Sequence, residues 1–200
     1  MPLHAPLGPG AVHLVIDMQR LFAEATDWHT PGLSAVLPNV VRIAAAHPRD
    51  SYFARFTVPP NPAAAAGRWR HYYEHWRGVT GEAIAPELID LVAPLAAIAT
   101  PDRVFDKPTY SVMKEPALRA ALARRGVDTV VFTGVETDVC VLASLLDAVD
   151  MGLHAVVVSD ALASGSDEAH RAVIGTLLPR LDRQVDVVTT DELLAAWPGR

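Results

Sequence analysis

Short apolar runs recur along this chain with amphipathic stretches between them, and that alternation restricts the fold more than any other feature of the sequence. Residues 12–16, 51–58, 103–106, 129–133, 155–158 and 185–188 are rich in Val, Ile, Phe and Tyr. Several of them are apolar at consecutive positions, as strands buried on both faces are. The stretches between them supply helices, among them 33–46, about 87–93 and 141–149. The expected architecture is α/β: a doubly wound three-layer sandwich around a roughly six-stranded parallel sheet. Two hundred residues, 50% of them hydrophobic, suit one such domain over 1–200.

One segment, about 59–86, interrupts the rhythm. It opens with Pro59-Pro-Asn-Pro62, runs through alanines, and then carries Trp69, Tyr72, Tyr73 and Trp76. A connection this long in a compact α/β domain is usually functional or disordered, and so much aromatic area argues against disorder. Spacings of three and four place the rings on one face of a short helix. The insertion is therefore expected to wall a substrate pocket, to pack on a second subunit, or both.

Charge and cysteine content narrow the partners. The net charge is −6 and no run of Lys or Arg exists, which disfavours a nucleic-acid partner. No apolar run reaches the roughly eighteen residues needed to cross a membrane. The first ten residues lack the basic start and apolar core of a signal peptide. A single cysteine excludes an intrachain disulfide and fits a reducing compartment, so the expected location is cytoplasmic.

That cysteine, Cys140, follows the run 129–133 and a polar turn at 134–138, and it precedes the helical stretch 141–149. A thiol on the first turn of a helix is expected to have its pKa lowered by the dipole and by unpaired N–H groups. The plainer alternative is a small buried hydrophobe. In an open α/β sheet, ligands bind outside the carboxyl ends of the strands. Asp17 ends the first run, Lys107 follows the third and Cys140 follows the fourth. Singly, Asp17 could cap a turn and Lys107 could be a solvated loop charge. Together they supply a base, a cation and a nucleophile at one sheet edge.

The segments Val15-Ile-Asp-Met-Gln19, Asp106-Lys-Pro-Thr-Tyr-Ser111 and Gly134-Val-Glu-Thr-Asp-Val-Cys-Val141 resemble those of the isochorismatase-like cysteine hydrolases. The likeness continues through Asp147-Ala148, Gly152 and Val156-Val-Val-Ser-Asp160, covering about residues 12–190. It implies the strand order 3-2-1-4-5-6 and a catalytic triad of Asp17, Lys107 and Cys140. Asp17 would act as general base and then acid, Lys107 would hold the other two in register, and Cys140 would attack a carbonyl carbon to give a thioester. It also implies a cis peptide at Val135–Glu136 and an oxyanion hole built from backbone N–H groups of Cys140 and Glu136. Thr137 and Asp138 are expected to brace that turn. Assembly as a homodimer or higher homo-oligomer follows from the same resemblance.

Departures from relatives bear on the substrate. Nicotinamide-hydrolysing members carry an Asp-x-His metal motif just after strand two. Here that strand runs into Arg55-Phe-Thr-Val-Pro-Pro60, and the letters recur only earlier, at Asp27-Trp-His29. His71 and His75 are spaced for a metal on a helix but lack an evident third ligand. No metal and no cofactor are expected. Isochorismate-cleaving members resemble this chain at the Asp and Lys positions but lack the cysteine. Cys140 therefore points to hydrolysis of a C–N bond in a small amide or ureide. The candidates for lining the substrate pocket are Phe22, Trp28, Trp69, Trp76, Tyr110 and Glu136. Arg55 or Arg20 is the candidate to meet a substrate carboxylate, while Gln19 is expected to hold the loop after Asp17. The competing readings are a vinyl-ether hydrolase using Asp17 without the thiol, and a catalytically silent domain in which Cys140 senses oxidants.

Overall fold

Six strands form the sheet: β1 (Ala11–Ile16), β2 (Ser51–Phe56), β3 (Val104–Lys107), β4 (Thr129–Val135), β5 (His154–Ala163) and β6 (Val185–Val188). All pair in parallel, in the order β3-β2-β1-β4-β5-β6. This is a computed structural model and it describes residues 3–4 and 6–197. The outer ends of the 1–200 domain and part of the N-terminal ten residues lie outside the described residues. β1 and β4, at the centre, are buried at every position. Successive strand side chains point to opposite faces, so unbroken burial means that both faces are covered, as the continuous apolar runs require.

The cover is helical: α1 (Arg20–Ala23), α2 (Leu33–Ala46), α3 (Arg68–His75), α4 (Ala93–Ala96), α5 (Pro116–Arg125), α6 (Leu142–Asp150), α7 (Asp167–Ala172) and α8 (Thr190–Ala196). α2 turns Leu33, Val40, Ile43 and Ala44 inward and packs on β4 and β5. Start and stop signals explain two helices directly. α5 begins at a proline, whose missing N–H costs nothing there, and ends at Gly126 in the left-handed conformation. α8 has a capping box in which Thr189 and Glu192 satisfy each other's backbone N–H groups.

Two expectations need correction. The helix read at about 87–93 is instead a tight turn at Pro86–Ile89, an isolated bridge from Leu91 to Gln19, and the single turn α4. Pro86 and Pro94 each open a separate short turn, and between them Asp90 and Val92 are extended, with ψ of 151° and 143°, so the segment is not one helix. β5 also runs well beyond 155–158, because a register shift opposite Phe132 and Gly134 lets it pair again at Leu162 and Ala163.

Candidate active site

The carboxyl ends of the parallel strands lie along one edge of the sheet, and four of them deliver side chains to one place. β1 runs into Asp17, whose φ of 50° is a left-handed conformation that Asp tolerates better than most residues. Its N–H donates to the Ala54 carbonyl of β2, which fixes the reversal at 3.1 Å. Gln19 locks the following loop: its side chain donates to the carbonyls of Phe56 and Ile89 and accepts from the Phe56 N–H. Phe56 and Lys107 are the last residues of β2 and β3. β4 reaches the site only because residue 134 is glycine. A Cβ there would lie 2.0 Å from the Ile16 carbonyl oxygen, and φ is 108°.

Lys107 joins the group. Its Nζ donates to Asp17 Oδ2 at 2.8 Å, to Cys140 Sγ at 3.3 Å and to the Thr109 carbonyl at 3.3 Å. The same ammonium lies 4.4 Å from the centre of the Phe56 ring. Asp17 and Lys107 are both 0% exposed and Cys140 is 6% exposed. Among the described residues, none donates a conventional hydrogen bond to the buried Asp17 Oδ1. Burial raises the Asp17 carboxyl above its usual range, against the pull of Lys107 and of the neighbouring thiol.

Burial also pushes the Cys140 thiol well up, with the Asp17 carboxylate pushing the same way and Lys107 opposing. This reverses the lowered pKa expected from the helix terminus. Desolvation of a sulfur this buried and a carboxylate alongside it outweigh one turn of oriented amides. The resting thiol thus keeps its proton, with an acceptor beside it.

The turn that carries the cysteine is tightly braced. The Val135–Glu136 peptide is cis, and Thr137–Val141 forms a wide helical turn leading into α6. The amides on either side of Cys140, those of Val139 and Val141, both donate to the Glu136 carbonyl, at 3.2 and 3.1 Å. Thr137 Oγ1 donates to the Ala163 carbonyl and shares a 2.9 Å hydrogen bond with His170. Ser164 donates to Asp138 in a short contact. Thr137 and Asp138 therefore brace the turn from the far side, and Ser144 Oγ holds the Cys140 carbonyl at 2.7 Å.

Cys140 opens into a cavity of about 290 Å³. Phe22, Trp28, Trp76, Tyr110 and Glu136 line it, five of the six lining residues expected from the sequence. Trp69 stands behind the wall, its ring 4.9 Å from Tyr110 and 5.3 Å from Tyr72. Arg55 does not reach the cavity. It makes a bidentate pair with Asp106 at 2.7 and 3.0 Å on the neighbouring strand and also meets Asp90. Its charge is spent at the edge of the sheet, where strand alternation carries it away from the site. Arg20 is likewise paired, with Glu24.

The cavity also takes in Phe56, Tyr72, Asp27, His29, Val139 and Gly165, which sequence reasoning did not assign to substrate. Phe56 could have been found from its place at the carboxyl end of a strand. Tyr72 could have been found from the same helical spacing that flagged Trp76. Nothing local marks Gly165. Among the described residues, no group of three or more His, Cys, Asp and Glu gathers to hold a metal ion. His71 faces Glu74 on the exposed side of α3, and His75 packs edge-on to Trp76.

Known proteins share this arrangement of elements. An isochorismatase-like hydrolase from Alkaliphilus metalliredigens superposes with a TM-score of 0.71 at 25% identity, covering 94% of this chain and 97% of that one. Ureidoacrylate amidohydrolase RutB of Methylobacterium radiotolerans is 35% identical over 91 residues, 45% of this chain and 34% of its own length. The chain thus spans about a third of that relative. Nicotinamidase 3 of Arabidopsis thaliana is 27% identical over 168 residues, 84% of this chain and 80% of the relative. The isochorismatase domain profile matches residues 11–192, almost the whole described sheet and its helices, and on that match the chain belongs to the isochorismatase family of hydrolases.

Proposed function

We propose that the protein is a cysteine-dependent hydrolase that cleaves a C–N bond of a small amide or ureide through a thioester. One observation carries this reading: a single buried ammonium, Lys107 Nζ, touches both Asp17 Oδ2 and Cys140 Sγ, beneath the floor that Cys140 gives the cavity. A carboxylate with a free oxygen beside a protonated thiol is a general base beside a nucleophile.

As the sulfur bonds to the substrate carbonyl carbon, its proton passes to Asp17 and the carbonyl oxygen becomes an oxyanion. Backbone N–H groups of Glu136 and Cys140 receive that charge, a contribution that typically amounts to about a hundredfold or more in rate. The C–N bond then breaks, Asp17 returns the proton to the leaving nitrogen, and the acyl group stays on sulfur as a thioester. Water attacks the thioester with Asp17 again as base, the C–S bond breaks, and the sulfur recovers its proton. Lys107 keeps its charge throughout and offsets the negative charge that moves between sulfur and carboxylate. The absence of an Asp-x-His motif after β2 sets the site apart from the metal-dependent nicotinamide-cleaving pattern, so the substrate is sought among other amides and ureides.

The test is hydrolysis of an amide and ureide panel by wild type and Cys140→Ala, with intact mass recorded during turnover. A transient acyl adduct on wild type and loss of turnover in the variant are expected. Retained amide hydrolysis in Cys140→Ala would sink the thiol mechanism, and retained isochorismate cleavage there would favour vinyl-ether chemistry on Asp17. With Cys140 only 6% exposed, a primary role in oxidant sensing is disfavoured. The pH profile gives a second check. Asp17 must be ionised to act as base and its pKa is raised, so kcat/KM should fall with decreasing pH at values above the ordinary carboxylate range.

A further inference from the structure

The cavity beside Cys140 has a chemical bias that the hydrolytic machinery does not need. Its walls are aromatic and mutually packed. Trp28 stacks with Phe22 at 5.9 Å and leans on Tyr72 at 6.0 Å, and Tyr72 continues to Trp76 at 6.4 Å. Among the described residues, no lysine or arginine lines it. Lys107 lies beneath the floor with its donors committed to Asp17, Cys140 and Thr109. Arg55 and Arg20, the two arginines considered for a substrate carboxylate, pair elsewhere. The lining carboxylates are Asp27, exposed at the mouth, and Glu136, half-buried against the cysteine turn, with His29 also at the mouth.

Glu136 is held with one oxygen to spare. Oε1 accepts from the Gly165 N–H at 2.7 Å and from the Thr30 hydroxyl at 3.4 Å. Among the described residues, both hydrogen bonds to this carboxylate land on Oε1. The carboxylate also sits close against Gly165: a Cβ there would lie 2.7 Å from Oε1, so it occupies space that the glycine leaves open. A pinned carboxylate among the faces and edges of aromatic rings is the recognition chemistry of an organic cation. It opposes an anion, because no fixed cation in the lining would answer one.

We infer that Glu136 and the wall formed by Trp28, Tyr72 and Trp76 select amides that carry a protonated amine. The ammonium donates an N–H to Glu136 Oε2 while its methylene groups pack on the rings. A cavity of about 290 Å³ limits the substrate to a short chain. This substrate class rests on the amide-hydrolase reading given above. Its recognition component stands without that reading, and the experiment separates the two.

Three amides of matched length would be compared: γ-aminobutyramide, which is cationic; valeramide, which is neutral; and glutaramate, which is anionic. The expected order of kcat/KM in wild type is cationic, then neutral, then anionic, with about tenfold or more between the first two. In Glu136→Gln, which keeps an acceptor for Gly165, the cationic-to-neutral ratio should fall about tenfold. In parallel, iodoacetamide labelling of Cys140 would be followed by mass at mildly alkaline pH with butylammonium, butanol or butyrate present. Butylammonium should protect wild type far better than the other two, and Glu136→Gln should lose that difference.

Turnover of all three amides at similar kcat/KM, or a glutaramate preference, would overturn the inference and leave the hydrolase reading standing. No turnover of these amides or of any amide or ureide in the wider panel, with selective protection by butylammonium, would overturn the amide-hydrolase reading and keep the cation site. Equal protection by all three probes would overturn the cation site. If Glu136→Gln fails to fold, the wild-type substrate order and probe order decide alone.

Discussion

Two buried polar residues stand four positions apart, His13 on β1 and Asp17 just past its end, and the structure treats them in opposite ways. His13 is fully buried and its ring is saturated: Nδ1 pairs with Ser51 Oγ at 3.1 Å and Nε2 with Thr133 Oγ1 at 2.7 Å. Ser51 in turn donates to the His47 carbonyl, and the His47 ring stacks on Trp197 at 3.6 Å. Burial, with His47 adding to it, lowers the His13 pKa to about 3, so the ring stays neutral. Asp17 is equally buried but sits in a charged cluster with one carboxylate oxygen uncommitted. A closed polar cluster rigidifies a core, whereas one with an acceptor left over beside a thiol stores the capacity to move a proton. The first is structure and the second carries the proposed chemistry, although the two polar groups stand four residues apart in the dry interior.

This contrast can be broken by experiment, most severely at the sulfur. Cys140→Ala is expected to lower amide turnover by about a thousandfold or more while the urea midpoint hardly moves. A large loss of stability with that change would show the cysteine to be core material like its apolar neighbours. Next comes Lys107→Met, which strands Asp17 as an unpaired buried carboxylate and should cost about 3–5 kcal/mol near neutral pH. Without Lys107, the folded-state carboxyl is raised further above its unfolded value. The penalty should therefore shrink as pH falls through that range and Asp17 takes up a proton. An equal penalty at acid and neutral pH in urea titrations would contradict a charged pair.

The His13 cluster should respond to acid in its own way. Its folded pKa, about 3, lies below the unfolded value of 6.5. The stability that neutral His13 contributes is full above pH 6.5 and is lost as pH falls toward 3. Wild type should therefore lose more stability over that window than His13→Gln, by up to on the order of 4 kcal/mol at the acid end. Parallel curves would show that the ring titrates normally. The smallest effect is expected from Thr133→Val. It removes one partner of the imidazole and should cost about 1–3 kcal/mol of stability with turnover intact. If Thr133→Val abolished turnover instead, the two clusters would be functionally one.

Electrostatics also separate what was readable along the chain from what was not. The central strands were legible because both faces are buried, so that burial writes itself into consecutive apolar residues such as Val130, Val131 and Phe132. β5 was only half legible. Ser159 and Asp160 interrupt its apolar run, although the strand continues past them after a register shift. Asp160 is retained there because its carboxylate accepts from the N–H and hydroxyl of Thr190 at the start of α8, a role invisible without the partner. Arg55 illustrates the converse. Its guanidinium was a candidate to meet a substrate carboxylate, yet the parallel register sets it opposite Asp106, which takes that guanidinium.

By itself, the sequence determined the kind of sheet, the strand ends at which Asp17, Lys107 and Cys140 stand, and the aromatic character of the 59–86 insertion. These follow from local pattern, since periodicity and strand boundaries are properties of neighbouring residues. Tertiary structure alone decided three further things: that one ammonium bridges a carboxylate and a thiol, that the thiol pKa is pushed up instead of down, and that Glu136 faces an aromatic wall with an oxygen free. Each depends on burial and on groups far apart in the chain. Lys107 is separated from Asp17 by 90 positions, and Thr30 from Glu136 by 106. Desolvation and charge act through space, so no local run of residues encodes them.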